Sequence, residues 1–523
     1  MGEHSLLIQL DQLIAAITDK QLRGATNLPI AGLAYDSRQV VPNGLFVAIA
    51  GFHTDGHYYI PQALAQGATA IVGDARFWDA TLEQATQHVT RVLVPDSRVA
   101  LATLASAFYG YPAHQLGVVG ITGTKGKSTT TDLVSRVLEG GGFTTGMIGT
   151  VDFKVATRRW ANDTRQSTPE APEVQALLRE MVANGCAYAV IEATSHALSA
   201  RWNRLGGCAF DVALFLNITH EHLDFHGNFA QYRHDKARLF ALLGAEPPNA
   251  TLPHKAQKWA IVNADDPSHQ VFLDAAPPTA QRLTYALHAP ADLRALHIEA
   301  SPNGSLVHVA TPWGERTIQL ALAGTFNVAN ALAALSVALC QGIPLETAAS
   351  ALESAPALRG RMERVVLGQP FTVIVDYAHN PDSFEQVLRM LRPLTQGRMI
   401  ALFGSAGERD REKRPIQGQI AARYCDLLVL SDEDPRGEDP LAIIDAIAAG
   451  VEATERTPPC PYTRIPDRAQ AIRYALAEAR PGDLVLLLGK GHEGSIIYAG
   501  YSRTWNEAEE ARQALSELGY TSR

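Results

Sequence analysis

The segment Gly-Ile-Thr-Gly-Thr-Lys-Gly-Lys-Ser-Thr at residues 120–129 has the residue types and the spacing of a phosphate-binding loop. It follows an apolar stretch and leads into a stretch with helical periodicity that ends at the glycines of residues 140–142. Glycines allow backbone N–H groups to face a phosphate at the positive end of a helix. In such a loop Lys127 reaches the β- and γ-phosphates of a nucleotide, and the Ser128 hydroxyl binds Mg²⁺. The expected phosphate contacts are Gly123, Thr124, Lys125, Gly126, Lys127, Ser128 and Thr129.

The loop departs from the common pattern G-x-x-x-x-G-K-S, which would place a glycine at position 121. Ile121 stands there instead. A glycine-rich turn between a strand and a helix, without a ligand, is the alternative interpretation. Because an apolar strand precedes the loop and a helix follows it, we favour phosphate binding.

Three further groups of polar residues lie downstream. Glu192 ends an apolar stretch, where a carboxylate could hold Mg²⁺ with Ser128, although the Thr and Ser that follow are also typical of a helix cap. The segment His-Glu-His-Leu-Asp-Phe-His at residues 220–226 is interpreted either as a metal cluster or as a polar loop, and no cysteine lies near it to complete a zinc site. Lys236, fourteen residues after His222, lies in a predicted helix and by pattern alone is a solvated lysine.

These residues must be positioned by short apolar stretches, each of which runs into a polar or glycine-rich cluster. The stretches lie at residues 117–121, 187–191, 212–216, 259–262, 371–375, 399–403, 426–430 and 483–488, with further strand-like pieces at 44–50 and 68–72. Continuous apolar stretches that alternate with helical segments indicate parallel strands covered on both faces. In open α/β sheets, ligands bind beyond the carboxyl ends of the strands. The sequence therefore predicts an α/β protein with its site residues at those ends.

Composition excludes several classes of partner. The 45 lysines and arginines are outnumbered by 54 aspartates and glutamates, and the net charge of −9 provides no basic face for nucleic acid or an anionic membrane. The N-terminal residues lack the pattern of a secretory signal, and no apolar stretch approaches the roughly 20 residues of a membrane span. The five scattered cysteines are typical of reduced core residues. We expect a cytoplasmic protein without a membrane span.

The length of 523 residues corresponds to about three domains at roughly 150 residues each. We place the first domain at residues 1–97 and the second, with the phosphate loop, at residues 98–358. The third domain, with the last series of strands, covers residues 359–523.

The loop, Glu192, the histidine-rich segment and Lys236 together resemble the Mur ligases, the ATP-dependent amide-forming enzymes of peptidoglycan precursor synthesis. The resemblance covers almost the whole chain, and the family's loop has the shifted form G-T-x-G-K-[ST]-T, which accounts for Ile121. Within the family, the chain is most similar to members that add the third amino acid of the stem peptide. The resemblance implies a UDP-sugar-binding domain, a central P-loop ATPase domain with a parallel sheet and a C-terminal Rossmann-like domain that binds the amino acid.

The resemblance also implies the cofactors and the catalytic residues. Ser128 and Glu192 would hold one Mg²⁺, and His222 would bind a second. Lys236 matches a lysine that family members carry as a carbamate, N6-carboxylysine, whose oxygens suit Mg²⁺. The catalytic residues would be Lys127, Glu192, His222 and Lys236.

The same resemblance assigns the remaining contacts. ATP would also be bound by Asn263, Asn327, Arg361 and Asp376, of which Asp376 would hold the ribose. The residues for the UDP-sugar and its peptide would be Ser37, Phe52, His53, Thr54, Ser167, Thr168, Ser195 and Arg204. Those for the amino acid would be Arg409, Glu433, Asp434, Arg436, Gly489 and Glu493.

The implied reaction joins a diamino acid to the D-glutamate carboxylate of UDP-MurNAc-L-Ala-D-Glu through an acyl phosphate, in a monomer whose partners are small molecules. Members that add meso-diaminopimelate carry D-N-P-R, whereas this chain reads Glu-Asp-Pro-Arg at residues 433–436. We favour diaminopimelate because Arg436 could clamp its distal carboxylate. The added negative charge of Asp434 would instead suit the amine of lysine or ornithine. An internal ion pair between Asp434 and Arg436 is a further alternative.

A second departure follows His196. Family members often have a glutamine two positions before an arginine that contacts the muramoyl peptide. This chain has Arg-Trp-Asn-Arg at residues 201–204, with a short insertion, so that Arg204 is the candidate arginine and the glutamine is missing. The alternatives to this reaction are a folylpolyglutamate synthetase-like ligase, a regulatory protein that binds ATP without ligation and, disfavoured by the net charge, a nucleic-acid-dependent NTPase.

Overall fold

Two compact units make up the chain in the computed structural model, which describes residues 7–51, 54–164, 166–219, 223–245, 249 and 251–521. One unit runs up to Arg294 and includes Leu332–Ala348, and the other comprises Ala295–Ala331 and the residues from Ala349 onward. The three-domain division at residues 97 and 358 stays a prediction. No helix in the described ranges combines the length and the apolar character needed to cross a membrane.

The N-terminal part of the first unit is a small α/β layer. Strands β4 to β7 run parallel in the order β7-β6-β5-β4, and β2 joins β7 in the antiparallel sense. The elements are β1 (Ile8–Gln9), α1 (Leu10–Ile14), β2 (Gln21–Arg23), β3 (Pro29–Ile30), β4 (Gly32–Ala34), β5 (Gly44–Val47), α2 (Ile60–Ala65), β6 (Ala68–Asp74), α3 (Ala80–Ala85), β7 (Thr90–Val94) and α4 (Ser97–Phe108).

The rest of the first unit holds a larger sheet with strands in the order β11-β10-β9-β12-β8-β13-β14-β15. Strands β9, β12, β8, β13, β14 and β15 are parallel, and β10 and β11 continue the sheet antiparallel. The elements are β8 (Gly117–Thr122), α5 (Lys127–Gly140), β9 (Thr145–Ile148), β10 (Asp152–Val155), β11 (Arg158–Ala161), α6 (Ala171–Ala183), β12 (Tyr188–Glu192), α7 (Ser195–Leu198), β13 (Val212–Phe215), α8 (Leu223–His226), α9 (Phe229–Ala241), β14 (Trp259–Asn263), α10 (His269–Ala275) and β15 (Gln281–Ala286).

The predicted strands of this sheet are present and fully covered. All six residues of β8 and all five of β12 are buried, as continuous apolar stretches require. The elements that follow β15 are β16 (Leu293–Ser301), β17 (Gly304–Thr311), β18 (Gly314–Leu320), α11 (Thr325–Cys340) and α12 (Leu345–Glu353). Within the second unit, β17 and β18 form an antiparallel hairpin.

The C-terminal part of the second unit is a six-stranded sheet in the order β19-β20-β24-β21-β22-β23, parallel except for β19. Alternate residues of β21 enter different cores, because Ile400 and Leu402 pack on one face and Ala401 and Phe403 on the other. The elements are β19 (Glu363–Arg364), β20 (Thr372–Asp376), α13 (Pro381–Leu391), β21 (Met399–Phe403), α14 (Lys413–Tyr424), β22 (Leu427–Leu430), α15 (Pro440–Glu452), β23 (Tyr462–Arg464), α16 (Arg468–Ala477), β24 (Leu484–Leu488), β25 (Ser495–Tyr498), β26 (Tyr501–Thr504) and α17 (Glu507–Glu517).

Candidate active site

The phosphate loop connects the buried strand β8 to helix α5 in the first unit. Gly126 precedes the helix with φ = +88°, a left-handed conformation that glycine adopts without strain. A side chain on Gly123 would approach Leu216 Cβ to 3.0 Å, so the backbone passes close to the segment after β13. The loop therefore turns the positive end of α5 towards the carboxyl end of the sheet, where a phosphate would bind.

Asn217, which follows β13, holds the loop from the neighbouring strand. Its amide Nδ2 donates to the Lys125 carbonyl at 3.0 Å, and its Oδ1 accepts from the Lys125 N–H at 2.9 Å. Its carbonyl accepts from the Thr124 N–H at 2.8 Å. Thr124 Oγ1 lies 3.1 Å from the Tyr232 hydroxyl on α9. The curled shape of the loop is thus fixed from two neighbouring elements.

Two lysine side chains converge on one carbonyl oxygen of the loop. Lys127 Nζ donates to the Gly123 carbonyl at 2.9 Å, and Lys236 Nζ, from α9, donates to the same oxygen at 2.7 Å. Lys236 is only 1% exposed and lies 4.7 Å from the centre of the Tyr232 ring. Both side chains therefore meet at the same end of the loop, where the phosphates of a nucleotide would lie. The structure thus brings together Lys127 and Lys236, while His222 lies outside the described residues.

Glu192 ends β12, the strand beside β8, and its register partner is Ile121. The buried carboxylate accepts from the Thr150 N–H at 2.7 Å and lies 2.9 Å from the Thr150 hydroxyl. Thr194, two residues further on, caps α7 by accepting from the Ala197 N–H at 3.3 Å. Both interpretations of this segment therefore apply. Glu192 places a carboxylate at the end of β12, and Thr194 caps the helix that follows.

The donor set beside the loop fits Mg²⁺. Ser128, in the first turn of α5, and Glu192, at the end of the adjacent strand, supply the oxygen ligands that this ion prefers. The hydroxyls of Thr122 and Thr130, on either side of the loop, are buried without a hydrogen-bond partner among the described residues. Among the residues that the structure describes, there is no group of three or more His, Cys, Asp or Glu side chains that could hold a metal ion.

Residues predicted to contact the UDP-linked peptide form a patch next to Glu192. Ser167 Oγ lies 2.7 Å from the Thr150 hydroxyl that also meets the Glu192 carboxylate. Thr168 is buried, and its hydroxyl donates to the Glu192 carbonyl at 2.6 Å. Ser195 is the first residue of α7, three positions after Glu192. Three of the predicted peptide contacts are therefore close to the predicted metal ligand.

Arg204 reaches the same patch from the segment that departs from the family pattern. Its guanidinium donates to the Thr168 carbonyl at 3.0 Å and pairs with Glu170 at 2.9 Å. The Trp202 ring lies 5.3 Å from the Arg204 guanidinium and 4.0 Å from that of Arg98, which also reaches Glu170 at 3.4 Å. The segment of residues 201–204 thus supplies an aromatic side chain that packs against Arg204.

The predicted UDP-sugar residues of the N-terminal layer follow its strands. Ser37 is buried and donates to Gln62 Oε1 at 2.9 Å. Thr54 is exposed, and its hydroxyl donates to that of Tyr59 at 3.2 Å. Phe52 and His53 lie outside the described residues, so their predicted role stays a prediction.

Two asparagines predicted to contact the nucleotide are bonded to nearby backbone groups. In the first unit, Asn263 ends β14, and its Nδ2 donates to the Leu216 carbonyl at 2.9 Å while its Oδ1 accepts from the Asp265 N–H at 3.0 Å. In the second unit, Asn327 is buried in α11 and donates to the Ala323 carbonyl at 2.8 Å. Asn263 therefore lies at the carboxyl end of β14, next to Asn217 after the neighbouring strand β13. Asn327 instead bonds to the backbone of Ala323, in the segment directly before its own helix.

Asp376 and Arg361 come together in the second unit. Asp376 ends β20, and its carboxylate accepts from the backbone N–H groups of Met362 and Ala378, each at 2.8 Å. Burial raises the pKa of the Asp376 carboxyl. The Arg361 guanidinium lies 4.6 Å from the centre of the Tyr377 ring. The predicted ribose ligand is thus already engaged by two backbone donors.

The residues predicted to bind the amino acid lie where β22 and β24 end. Glu433 follows β22, and a side chain on Gly489, after β24, would lie 2.8 Å from Glu433 Oε2. Glu433 is 6% exposed, and its Oε2 has no hydrogen-bond partner among the described residues. A buried carboxylate oxygen without a donor is costly, which suits it to receive an ammonium group from a ligand.

Asp434 is engaged by Lys490. Lys490 Nζ donates to Asp434 Oδ1 at 2.8 Å and to Glu493 Oε2 at 2.6 Å, and the Ile497 N–H donates to the same Asp434 oxygen at 2.9 Å. The alternative of an internal ion pair between Asp434 and Arg436 is wrong, because the partner of Asp434 is Lys490. The carboxylate of Asp434 is therefore paired within the protein, by a lysine that it shares with Glu493.

The two arginines of this pocket differ in their surroundings. Arg436 has φ = +55°, its N–H donates to the Ile497 carbonyl at 2.9 Å, and its Nε is buried without a partner in the described part of the chain. Arg409 is exposed in the loop after β21. That loop lies against the Glu433 segment, since the Gly407 N–H donates to the Asp434 carbonyl at 2.8 Å.

Sequence reasoning missed three residues that position the others: Asn217, Thr150 and Lys490. Thr150 follows β9 and Asn217 follows β13. Both could have been predicted from the sequence, because site residues of α/β sheets lie at the carboxyl ends of the strands. Lys490 lies within the glycine-rich segment after β24, but its partner Asp434 is 56 residues away. Only the fold brings that pair together.

The fold and the loop define a multidomain α/β protein with a P-loop type of phosphate site. Three family descriptions match in succession: "Mur ligase family, catalytic domain" at residues 29–109, "Mur ligase middle domain" at 121–338 and "Mur ligase, glutamate ligase domain" at 360–491. The chain belongs to the Mur ligase family. The predicted family and fold class are confirmed.

Individual relatives agree with this assignment. The chain is 59% identical to the "UDP-N-acetylmuramyl-tripeptide synthetase" of Roseiflexus sp. (strain RS-1), covering 98% of this chain and 100% of that protein. It is 40% identical to the "UDP-N-acetylmuramoyl-L-alanyl-D-glutamate--2,6-diaminopimelate ligase" of Geobacillus thermodenitrificans (strain NG80-2), with the same coverage of 98% and 100%. A solved structure under the latter protein name superposes with a TM-score of 0.69 at 26% identity and covers 99% of this chain and 100% of that one.

Proposed function

We propose that this protein joins a diamino acid to the D-glutamate carboxylate of UDP-MurNAc-L-Ala-D-Glu, with conversion of ATP to ADP and phosphate. The observation that carries the proposal is the phosphate loop with Lys127 and Lys236 on one carbonyl oxygen, beside Glu192 at the next strand end. The names of relatives at 59% and 40% identity support the same step of peptidoglycan synthesis.

The chemistry requires fixed positive charge because both reactants are anions. The substrate carboxylate attacks the γ-phosphorus of ATP, ADP leaves, and an acyl phosphate forms. The amine of the incoming amino acid then attacks the acyl carbon, and inorganic phosphate leaves as the amide bond forms. Lys127 offsets charge on the transferred phosphoryl group. Mg²⁺, held by Ser128 and Glu192, would neutralise phosphate charge when bound.

Lys236 is proposed to act as N6-carboxylysine. Its neutral amine would add to CO₂ with loss of one proton, and the carbamate would provide two oxygens for a second Mg²⁺, which His222 would also bind. A carbamate nitrogen keeps one N–H, so the bond to the Gly123 carbonyl could be retained. The burial of Lys236 beside the loop supports a role in the site over that of a solvated lysine.

For the third amino acid we propose meso-diaminopimelate, with lysine or ornithine as the alternative. The distal centre of diaminopimelate carries both an ammonium and a carboxylate. Glu433 offers a buried acceptor to the first, and the Arg436 guanidinium offers a donor to the second. The charge of Asp434 gives only weak support to lysine, since Lys490 already pairs with that carboxylate.

Phosphate release from ATP tests the proposal. The purified protein is assayed with UDP-MurNAc-L-Ala-D-Glu and, in turn, diaminopimelate, lysine and ornithine. We expect release only when both the dipeptide substrate and an amino acid are present, with the highest kcat/KM for diaminopimelate. Preference for lysine or ornithine would contradict the assignment of Arg436. Release without the UDP-linked substrate would contradict ligation and favour an ATP-binding regulator.

A further inference from the structure

Helix α9 carries two buried polar side chains at successive positions that bond to different parts of the first unit. Lys236 donates to the Gly123 carbonyl of the phosphate loop at 2.7 Å. Asp235 Oδ2 lies 2.7 Å from His226 Nδ1, and His226 Nε2 lies 3.1 Å from Ser195 Oγ. Ser195, His226 and Asp235 are 3%, 7% and 4% exposed, so the whole series is shielded from water.

The donors and acceptors in this series fix the orientation of the imidazole. The Asp235 carboxylate only accepts, so His226 Nδ1 donates to it, and the ring is held with Nε2 towards Ser195. The Gln231 amide donates to the other Asp235 oxygen at 3.0 Å, which holds the carboxylate as well. A serine hydroxyl rotates about its Cβ–Oγ bond, and the bond to Nε2 selects one direction.

The connectivity is that of a Ser-His-Asp triad, yet the surroundings indicate orientation and not nucleophilic attack. Ser195 lies in the patch beside Thr168, whose hydroxyl is 3.2 Å from that of Thr194 and donates to the Glu192 carbonyl. That patch is where the UDP-linked peptide would bind under the proposed function.

We propose that His226 is a positioning residue: held by Asp235, it orients the Ser195 hydroxyl towards the dipeptide of the UDP-linked substrate. This inference rests on the proposed function. Because Asp235 and Lys236 are adjacent on α9, the same helix also fixes the distance between Ser195 and the phosphate loop.

A set of single and double variants tests the coupling. The KM for UDP-MurNAc-L-Ala-D-Glu, the KM for ATP and kcat are measured for Ser195→Ala, His226→Asn, His226→Gln and the double variant Ser195→Ala with His226→Asn. An Asn amide matches the position of Nδ1 and keeps the bond to Asp235, whereas a Gln amide reaches the position of Nε2 and keeps the bond to Ser195. His234→Asn, exposed on the same helix, is the control.

We expect Ser195→Ala and His226→Asn each to raise the KM for the UDP-linked substrate about fivefold, the size of one net hydrogen bond. The double variant should be no worse than either single variant, and the KM for ATP should not change. His226→Gln should raise the KM for the UDP-linked substrate less than His226→Asn does, because it keeps the bond to Ser195 but loses the bond to Asp235. A double variant whose KM is the product of the two single effects would overturn the inference alone. An unchanged KM in Ser195→Ala would overturn the peptide assignment of Ser195 together with the inference.

Discussion

The two candidate sites of this chain are built in different ways. In the first unit, the glycines, the strand end and the helix that form the phosphate loop all lie within residues 117–140, and Asn217 and Tyr232 only brace that loop from outside. In the second unit, the predicted amino-acid pocket is held by buried charged side chains from distant parts of the sequence, such as Lys490 with Asp434. A site formed by consecutive residues leaves a recognisable spacing of residue types in the sequence. A site held by ion pairs between distant residues leaves no such spacing.

Arg468 shows how far this network extends. Its side chain is fully buried, pairs with Glu507 at 2.6 Å, and donates to the carbonyls of Asp432 at 2.8 Å and Leu488 at 2.7 Å. Those carbonyls lie where β22 and β24 end, directly before Glu433 and Gly489. One guanidinium therefore holds together the two segments that carry Glu433 and Gly489.

The largest expected effect concerns the first site. Lys236→Ala should lower kcat on the order of a thousandfold, the size of effect that follows loss of a fixed electrostatic group at a reacting centre. Added short-chain carboxylic acids should restore part of the turnover by supplying the carboxylate that the carbamate would provide. Steady-state phosphate release measures both, with the distant Lys20→Ala as the control. Unchanged turnover in Lys236→Ala would contradict the assignment of Lys236, and failure of rescue would contradict the carbamate.

The second site is tested by breaking its buried ion pair. Arg468→Met should lower the free energy of unfolding in urea by about 3 kcal/mol, because Glu507 is left as a buried charge without its partner. Replacing Glu507 with Gln as well should recover part of that loss. Arg473→Met, on the same helix and with a side chain that is 33% exposed, should cost less than about 1 kcal/mol. Equal losses for Arg468 and Arg473 would contradict the role of the buried ion pair in holding the second site.

Much of the first site was predictable from sequence, and little of the second. The strand before the loop, the helix from Lys127 and the strand ending at Glu192 are present as expected, since apolar stretches and glycines act locally. The role of Lys236 came from the resemblance and not from its pattern. Lys490 could not be assigned, because a lysine in a glycine-rich segment gives no sign of an aspartate 56 residues away.

Arg436 is the residue on which the proposed choice of diaminopimelate depends. Arg436→Ala should lower kcat/KM for diaminopimelate about 30-fold, the value of a charge-assisted hydrogen bond, and should leave the weaker use of lysine nearly unchanged. Competition assays with the two amino acids measure the change in preference directly. Arg411→Ala, with a side chain that is 72% exposed, is the matched control. Equal losses for both amino acids would show that Arg436 supports the pocket instead of selecting the substrate.

The smallest expected effect is a pH dependence at Asp432, directly before Glu433. Burial raises the pKa of the Asp432 carboxyl from 3.8 to about 6. A hydrogen bond from Tyr498 and the positive charge of Arg468 lower this pKa, but by less than burial raises it. The folded state therefore binds the proton of Asp432 more tightly than the unfolded state does. The stability that the protonated carboxyl contributes is fully present below about pH 4 and is lost as the pH rises through 6. Asp432→Asn stays neutral, so it should be more stable than the native chain by on the order of 2 kcal/mol at pH 7 and by little at pH 4.

The opposite sign is expected at Asp426, which precedes β22. Its pKa is lowered, since the bonds from the Met399 N–H and from Arg392 outweigh the effect of burial. Stability that Asp426 contributes above the unfolded-state pKa is lost as the pH falls through its folded-state value, so Asp426→Asn should cost more at pH 7 than below about pH 3. Urea unfolding of both variants from about pH 2.5 to 7.5 measures the two slopes. If the free energies of unfolding of the two variants changed with pH in the same direction, Asp432 would titrate like an exposed carboxylate. Burial beside the pocket would then not control its pKa.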